Sequence, residues 1–207
     1  MKTRLAVPVL LLVLLALVPA APAAAFNWGV GADLGYNMFM PASDYGGDIE
    51  NISYFGWPLG SQLLFGEVPL SSGGGLRVSF AGEKPTHEVW LGTSLSYFSY
   101  SGTSLHMLGL NANYQYNFET SGGVKPYVTA GAGLTRLGYS PESGDGTSAM
   151  SATFGRGVGI AHKMGTGRLR GEVRYDQITE GNDDDDDTLI LKGGNLGFRL
   201  GFDLWSQ

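Results

Sequence analysis

Four charged residues alternate with apolar or small residues late in the chain: Arg170, Glu172, Arg174 and Asp176. Because successive side chains of a β-strand point to opposite faces, this spacing places all four on one face of a strand. Such a row can form ion pairs, line an ion path or supply an acid and base pair. An unpaired buried charge is costly, whereas opposite charges that bond to one another are tolerated. We therefore interpret the row as part of a paired network.

Charged residues in other alternating segments likewise lie on the strand face opposite the apolar residues. They are therefore expected to face the same interior as this row. The predicted network, a set of ion pairs that fills the interior of a narrow barrel, consists of Asp33, Arg77, Arg170, Glu172, Arg174, Asp176, Arg199 and Asp203. Within it, Asp33 is expected to lie near Arg77 or Arg199.

Motifs for catalysis or cofactor binding are incomplete. His87 and Glu88 begin like the helix of a zinc protease, but Leu91 stands where the second histidine is required. The glycines of segment 155–159 have the wrong spacing for a phosphate-binding loop, and no helix is predicted after them. The chain has no cysteine, which excludes disulfides, thiolate metal sites and a cysteine nucleophile. We predict no catalytic residue, no metal site and no cofactor, and hence no enzyme.

The first strand that must position these charges is unusually long. From Phe26 to Met38 every second residue is apolar, and those between are small or polar. Strands of soluble proteins are usually about 5 or 6 residues long, whereas a tilted strand that crosses a bilayer needs about 9 to 11. The length of the alternation therefore indicates a membrane-spanning strand.

The segment before this strand predicts export. Lys2 and Arg4 precede an apolar stretch over residues 5–18, and small residues follow up to Ala25. This is the pattern of a secretory signal peptide, so we predict a signal peptide at residues 1–25 and a mature barrel domain at 26–207. No later run is long enough for a membrane helix. A membrane-embedded form must therefore be a closed barrel, in which every backbone polar group is paired.

The alternation recurs about eight times, with turn residues between the segments. The predicted strands are 26–38, 75–81, 87–100, 105–118, 126–137, 149–162, 168–178 and 189–204. The 33 glycines and the low charged fraction of 15% suit strands and turns. Without Lys2 and Arg4, eleven basic residues remain against nineteen acidic ones, a formal charge of −8. That acidity argues against nucleic acid as a partner.

Three segments carry a family resemblance: Pro126–Gly133, Gly171–Tyr175 and Leu196–Trp205. With these residues the chain resembles the eight-stranded outer-membrane β-barrel superfamily, which includes the membrane domain of outer-membrane protein A and the small Ail/Lom-like barrels. The resemblance implies an all-β, antiparallel up-and-down transmembrane barrel of a Gram-negative bacterium. It also implies a structural or surface-interaction role. The implied partners are outer-membrane lipid, including lipopolysaccharide, and the barrel assembly machinery.

Loops and aromatic residues give this barrel an orientation. The connectors at 82–86, 119–125 and 163–167 are short, as periplasmic turns are, and three of the four opposite connectors are longer. Aromatic residues recur near the strand ends beside the short connectors, as in an aromatic girdle. The predicted periplasmic girdle consists of Phe26, Trp28, Tyr114, Tyr116, Phe118, Phe202 and Trp205.

Two alternatives to this interpretation stay open at this stage. The chain can be interpreted as a soluble, lipocalin-like periplasmic barrel that binds a small hydrophobic ligand. Arg156 keeps that hypothesis open because it falls in an outward apolar row, where arginine costs about 2 to 4 kcal/mol at the bilayer midplane. Either a bulge at Gly155 and Gly157 turns Arg156 inward, or the barrel is not in lipid. The other alternative is a lipid-modifying enzyme that uses Ser104 and His106.

Two segments resist assignment from the sequence. Segment 39–74 is interpreted either as a loop with its own hairpin or as two further wall strands. The acidic run Asp183–Asp187 is interpreted as a solvated loop tip, because its carboxylates lack the spaced geometry of a calcium loop. The partner of the extracellular loops is not identified by any motif.

Overall fold

The computed structural model of this chain describes residues 27–41, 52–56, 70–82, 86–100, 103–140, 142–143, 146–179 and 192–206. The predicted signal peptide at 1–25, Phe26 and the acidic run Asp183–Asp187 lie outside these residues. The described part contains no helix with the length and hydropathy needed to cross a membrane.

Nine antiparallel strands make up the described part of the chain. Their bounds are β1 Asn27–Pro41, β2 Ile52–Gly56, β3 Leu70–Ala81, β4 His87–Tyr100, β5 Thr103–Asn117, β6 Val124–Ser140, β7 Thr147–Met164, β8 Gly167–Ile178 and β9 Gly193–Trp205. All but β2 contain at least 12 residues, which is longer than strands of soluble domains usually are. The alternating segments of the sequence therefore became long strands.

Eight of these strands close into a barrel in the order β1, β3, β4, β5, β6, β7, β8, β9, and β9 pairs again with β1. The register defines the stagger of this barrel. Paired residues followed once around from Gly31 pass through Arg77, Gly92, Asn111, Gly133, Thr153, Ile178 and Gly193 and return to β1 at Pro41. A return ten residues along β1 tilts eight strands by about 40° to the barrel axis.

The prediction of an all-β, up-and-down barrel of eight strands is confirmed. Among its described residues, the undecided segment 39–74 contains one short additional strand, β2, which pairs with β1 at residues 35–39, beyond the part of β1 that pairs with β3. The barrel strand β3 begins at Leu70, earlier than the predicted start at Gly75. No alternating pattern marks residues 70–74, which is why the sequence placed this boundary too late.

The two faces of the wall differ in polarity. Outward rows are apolar and exposed, as in β7 with Phe154, Val158 and Ile160, while large polar side chains such as Arg77 and Gln115 are buried inside. A lipocalin-like barrel has the opposite arrangement, because its ligand cavity is apolar and its surface polar. The soluble-barrel alternative is therefore wrong for this chain.

Arg156 lies in the outward, exposed row of β7. The ladder between β7 and β8 runs without interruption from Thr153 to Met164 and pairs Arg156 with Tyr175. The predicted bulge is therefore absent, and the suggestion that it turns Arg156 inward is wrong. Arg156 remains an arginine on the outer surface of the barrel.

The barrel has two unlike ends. The chain enters at Asn27 and leaves at Trp205 at the same end, here called the turn end, which also carries the connectors 82–86, 118–123 and 165–166. The opposite end, here called the loop end, carries segments 42–69, 101–102, 141–146 and 179–192. Gly165 in the shortest turn has φ of 63°, a left-handed conformation that glycine adopts without steric cost.

Candidate functional site

The interior of the barrel holds the charged residues singled out from the sequence. All eight predicted members take part in ion pairs there, together with two that the sequence reasoning missed, Glu88 and Arg168. Both could have been found by strand parity. Arg168 stands two residues before Arg170 on β8, and Glu88 lies opposite the apolar row of Val89 and Leu91 on β4.

Glu88 is the centre of the turn-side cluster, defined as Asp33, Arg77, Glu88, Arg168, Arg170 and Asp203. Its carboxylate is fully buried and accepts hydrogen bonds from both Nη1 and Nη2 of Arg168, at 2.7 and 2.8 Å. It also pairs with Nη2 of Arg77, which in turn donates to Oε1 of Gln115 at 3.0 Å. Bidentate, charge-assisted pairs of this kind are among the strongest polar contacts in proteins.

Asp203 is the second acceptor of this cluster. Its Oδ2 accepts hydrogen bonds from Arg168 and Arg170, each at 2.7 Å, and its Oδ1 accepts another from Arg170 at 2.8 Å. Arg170 Nη2 also donates to Asp33 Oδ1 at 2.8 Å. Asp33 therefore faces the interior, and the register places it diagonally across from Arg77 on β3 and from Arg199 on β9, near which it was expected. Its ion pair, however, is with Arg170. Arg170 of β8 reaches Asp33 of β1 because both residues pair with Gly201 of the intervening strand β9, which has no side chain to separate them.

The pair between Arg168 and Glu88 crosses the whole barrel. Arg168 belongs to β8 and Glu88 to β4, and three wall strands separate β4 from β8 in either direction around the barrel. The two strands therefore lie on opposite walls, and the side chains meet at hydrogen-bond distance between them. The turn-side cluster thus spans the diameter of the interior.

The loop-side cluster, defined as Glu172, Arg174, Asp176 and Arg199, lies further along β8 and β9. Asp176 accepts hydrogen bonds from Nε of Arg174 at 2.7 Å and from Nη2 of Arg199 at 3.0 Å. Arg174 also donates to Oδ1 of Asn113 on β5 at 2.7 Å. Glu172 is more weakly paired, because Arg174 Nη1 lies 3.9 Å from its carboxylate.

Two buried aromatic residues connect the charged groups. The ring of Trp90 lies 4.4 Å from the guanidinium carbon of Arg77 and 5.6 Å from that of Arg174, so it contacts both clusters. Stacking of a guanidinium on an indole is a favourable cation–π contact. Tyr127 is also buried, and its hydroxyl donates to Glu172 at 3.1 Å. Neither aromatic residue was predicted as part of the site.

Glycines of the wall make room for these side chains. A Cβ at Gly155 of β7 would overlap Nη2 of Arg174 and Oδ1 of Asp176, and a Cβ at Gly201 would overlap Oδ1 of Asp33. A narrow barrel filled by arginines needs wall residues without side chains, because every inward side chain takes up part of the limited interior space.

The clusters are electrically balanced. Within the described residues the turn-side cluster pairs three arginines with three carboxylates, and the loop-side cluster pairs two with two. Hydrogen bonds and attraction between buried opposite charges offset part of the cost of removing them from water. This arrangement can hold opposite walls together, and its charges are engaged with one another.

A cavity of about 80 Å³ with a mixed polar and apolar lining lies on the loop side of the interior, lined by residues that include Trp90, Arg174 and Asp176. Among the described atoms, Nε1 of Trp90 and Nη1 of Arg174 are buried without a hydrogen-bond partner. A cavity of this size accommodates several water molecules, and water ordinarily satisfies buried donors of this kind.

The predicted girdle residues lie at the turn end, with one correction. Trp28, Tyr114, Phe118 and Phe202 are exposed on the outer surface. Tyr116 is half-buried in the same outward row, where its ring makes edge contacts with His87 and Phe118. Phe26 lies outside the described residues.

Trp205 does not belong to the outer girdle. It stands three residues after the outward Phe202, so strand alternation places it on the opposite face. Its ring lies 4.7 Å from the guanidinium carbon of the interior Arg168, and it also packs where a Cβ of Gly29 would stand. Trp205 therefore covers the turn end of the interior. The prediction that it belongs to the girdle was wrong because it rested on the position of Trp205 near the end of the strand and did not take into account which face of the strand the side chain occupies.

For the candidate catalytic pair, Ser104 and His106, the structure describes the backbone alone. Both residues belong to β5. Across the described part of the chain, no group of three or more histidine, aspartate or glutamate side chains has the arrangement of a metal site.

A comparison with protein families finds one match. The sequence profile of the outer membrane protein beta-barrel domain matches residues 9–203, which is nearly the whole chain. A search of curated proteins finds no match.

Solved structures show the same fold at low sequence identity. Neisserial surface protein A is 16% identical, with a TM-score of 0.60 over 86% of this chain and 96% of that one. The attachment invasion locus protein Ail of Yersinia pestis is 10% identical, with a TM-score of 0.53 over 88% and 99%. A major outer membrane protein of Thermus thermophilus is 16% identical, with a TM-score of 0.51 over 88% and 100%.

Proposed function

The chain belongs to the outer membrane protein beta-barrel domain family, and on that premise we propose that it is a closed, non-conducting barrel of the outer membrane with a structural and surface-interaction role. In this proposal the interior network holds the wall together, and the segments at the loop end carry whatever specificity the protein has. The barrel assembly machinery and outer-membrane lipid, including lipopolysaccharide, are its partners in the envelope. Residues 1–25 are its export signal.

The contact of Arg168 with Glu88 across the barrel carries the proposal. An open porin keeps its interior free for solutes, whereas here oppositely charged side chains from opposite walls meet at hydrogen-bond distance. Balanced charge supports the same interpretation, because paired groups leave no excess of one sign to attract ions. An eight-stranded barrel also has an interior just wide enough for its own side chains.

Liposome swelling tests the absence of a pore. Vesicles containing the purified, folded protein are diluted into an isotonic solution of a small sugar, and the change in turbidity is followed. We expect the same rate as for protein-free vesicles, while a general porin reconstituted at the same ratio swells them rapidly. Swelling as fast as with that porin would show that the interior conducts and would refute the proposed closure.

We propose further that the protein does not act as an enzyme. Support comes from the engagement of the interior carboxylates with arginines, which leaves them poorly suited to proton transfer. The test is incubation of the protein with outer-membrane lipids, followed by mass spectrometry of the lipids. Unchanged lipid masses are expected. Deacylation that is lost in Ser104→Ala would instead establish the lipid-modifying alternative.

A further inference from the structure

Arg156 is a charged residue in an apolar part of the outer wall. Its neighbours in the outward row of β7 are Phe154 and Val158, which are 55% and 59% exposed. In the outer membrane these side chains contact lipid chains. The guanidinium of Arg156 therefore lies in a largely apolar surface, beside two side chains that offer it no hydrogen bond.

Arg156 has no described protein acceptor for its N–H groups. Its one described contact is with Tyr175 of β8, whose ring centroid lies 5.6 Å from the guanidinium carbon. Arginine is not deprotonated in proteins, so the positive charge persists in this setting. Long basic side chains in membranes extend along the surface until the charged group reaches the headgroup region.

Tyr175 is a fixed platform for this extension. Its hydroxyl donates to Oε1 of Gln177 at 2.8 Å, and Nε2 of Gln177 donates to the carbonyl of Gly193 at 3.0 Å. The ring also covers Gly194, where an added Cβ would meet the tyrosine hydroxyl at 2.5 Å. Both Gln177 and Gly194 lie nearer the loop end than Tyr175, so the ring leans toward that end and the guanidinium beside it has a platform on that side of the membrane.

From this arrangement we propose that Arg156, stacked on Tyr175, binds the phosphate of a lipid headgroup in the leaflet at the loop end. The planar guanidinium offers paired N–H donors that match the oxygens of a phosphate. The bound lipid supplies the counter-charge that the described protein surface lacks around Arg156. This inference depends on the placement of the barrel in the outer membrane and is independent of whether its interior conducts.

Native mass spectrometry of the full mature barrel tests the site. The protein, in a nonionic detergent, is mixed with phosphatidylglycerol or with a galactosyl diacylglycerol that has the same acyl chains and no phosphate. Lipid-bound and lipid-free ions are then compared for the wild type, Arg156→Leu and Arg136→Leu. Arg136 is the control, because it is also exposed and outward but donates to Oγ of Ser148 at 3.4 Å and lies nearer the loop end, on β6.

We expect the wild type to bind phosphatidylglycerol about tenfold more tightly than the galactolipid, the factor typical of a charge-assisted hydrogen bond. Arg156→Leu should bind the two lipids alike, while Arg136→Leu keeps the preference. If Arg156→Leu retains the preference, or if Arg136→Leu loses it equally, the proposed site is refuted. A separate titration with inorganic phosphate should leave the bound lipid in place. Complete displacement by it would show a free-anion site and would overturn the assignment to a lipid.

Folding of each variant is checked by its gel mobility with and without boiling. Arg156→Lys serves as a second variant that keeps the charge and removes the planar fork. We expect it to retain a reduced preference for phosphatidylglycerol, between those of the wild type and Arg156→Leu. A lysine variant that matches the wild type would show that charge alone is sufficient and would contradict the role assigned to the stacked guanidinium.

Discussion

At the level of single residues, Glu88 is the most consequential side chain of the interior. It is 1% exposed, and two arginines from different strands converge on its carboxylate. Removing the charge of a partner in such a cluster leaves positive charge buried without compensation. The network therefore depends more on Glu88 than on Glu172, whose ion pair with Arg174 is long at 3.9 Å.

We predict that Glu88→Gln lowers the free energy of unfolding by about 3 kcal/mol, because Arg77 and Arg168 lose their common counter-charge. Glu172→Gln should have a smaller effect of the same sign. Urea unfolding of the protein in lipid vesicles, followed by gel mobility without boiling, measures both. The control is Glu142→Gln at the exposed loop end, which should change the free energy of unfolding by less than about 0.5 kcal/mol. Equal losses for the variants at positions 88 and 142 would contradict a structural role of the network.

At the level of strands, the sequence predicted the barrel well because alternation is a property of each strand by itself. The strand β4 was predicted with its observed bounds at His87 and Tyr100. Parity along β8 likewise placed Arg170, Glu172 and Arg174 on the interior face, where they are buried. The local sequence pattern was sufficient for these features because one face of each strand is apolar and points outward, while the other is polar or small and points into the interior.

Features that depend on relations between strands could not be predicted in the same way. The partner of Asp33 depends on the stagger of the whole barrel, and the sequence alone does not give the register that brings Arg170 next to it. Glu88 was overlooked because its own strand has few charges to form a row. Strand β2 is only five residues long and lacks a readable alternation. These contacts follow from closure, which is a property of all eight strands together.

Gly155 of β7 leaves space for two charged side chains of the interior. Gly155→Ala should lower the free energy of unfolding by about 1 to 3 kcal/mol, because the new methyl group overlaps Arg174 and Asp176. Gly171→Ala on β8 is the matched control, since its Cβ would point outward and come no closer than 3.9 Å to Ile160. Both values are measured by urea unfolding in vesicles. A difference between the two variants smaller than about 0.5 kcal/mol would show that the interior adjusts freely around Gly155.

At the level of the whole molecule, the two ends differ in a way that bears on orientation. Two of the four connectors at the loop end, 42–69 and 179–192, are longer than any at the turn end, where the first and last strands of the wall also have their outer ends. Outer-membrane barrels place short turns in the periplasm and long loops outside. Because the natural chain has no cysteine, a single introduced cysteine is the only thiol and can report the exposure of either end.

We predict that Ser143→Cys at the loop end reacts with a membrane-impermeant maleimide on intact cells, while Ser121→Cys at the turn end does not. Both serines are exposed, and they lie in the connectors at the two ends of the same strand, β6. They therefore differ mainly in the side of the membrane on which they lie. Permeabilising the outer membrane should make Ser121→Cys as reactive as Ser143→Cys, which shows that its thiol is accessible. Labelling of Ser121→Cys alone on intact cells would reverse the orientation. It would then move the lipid site at Arg156 and Tyr175 to the opposite leaflet, because the ring of Tyr175 leans toward the loop end.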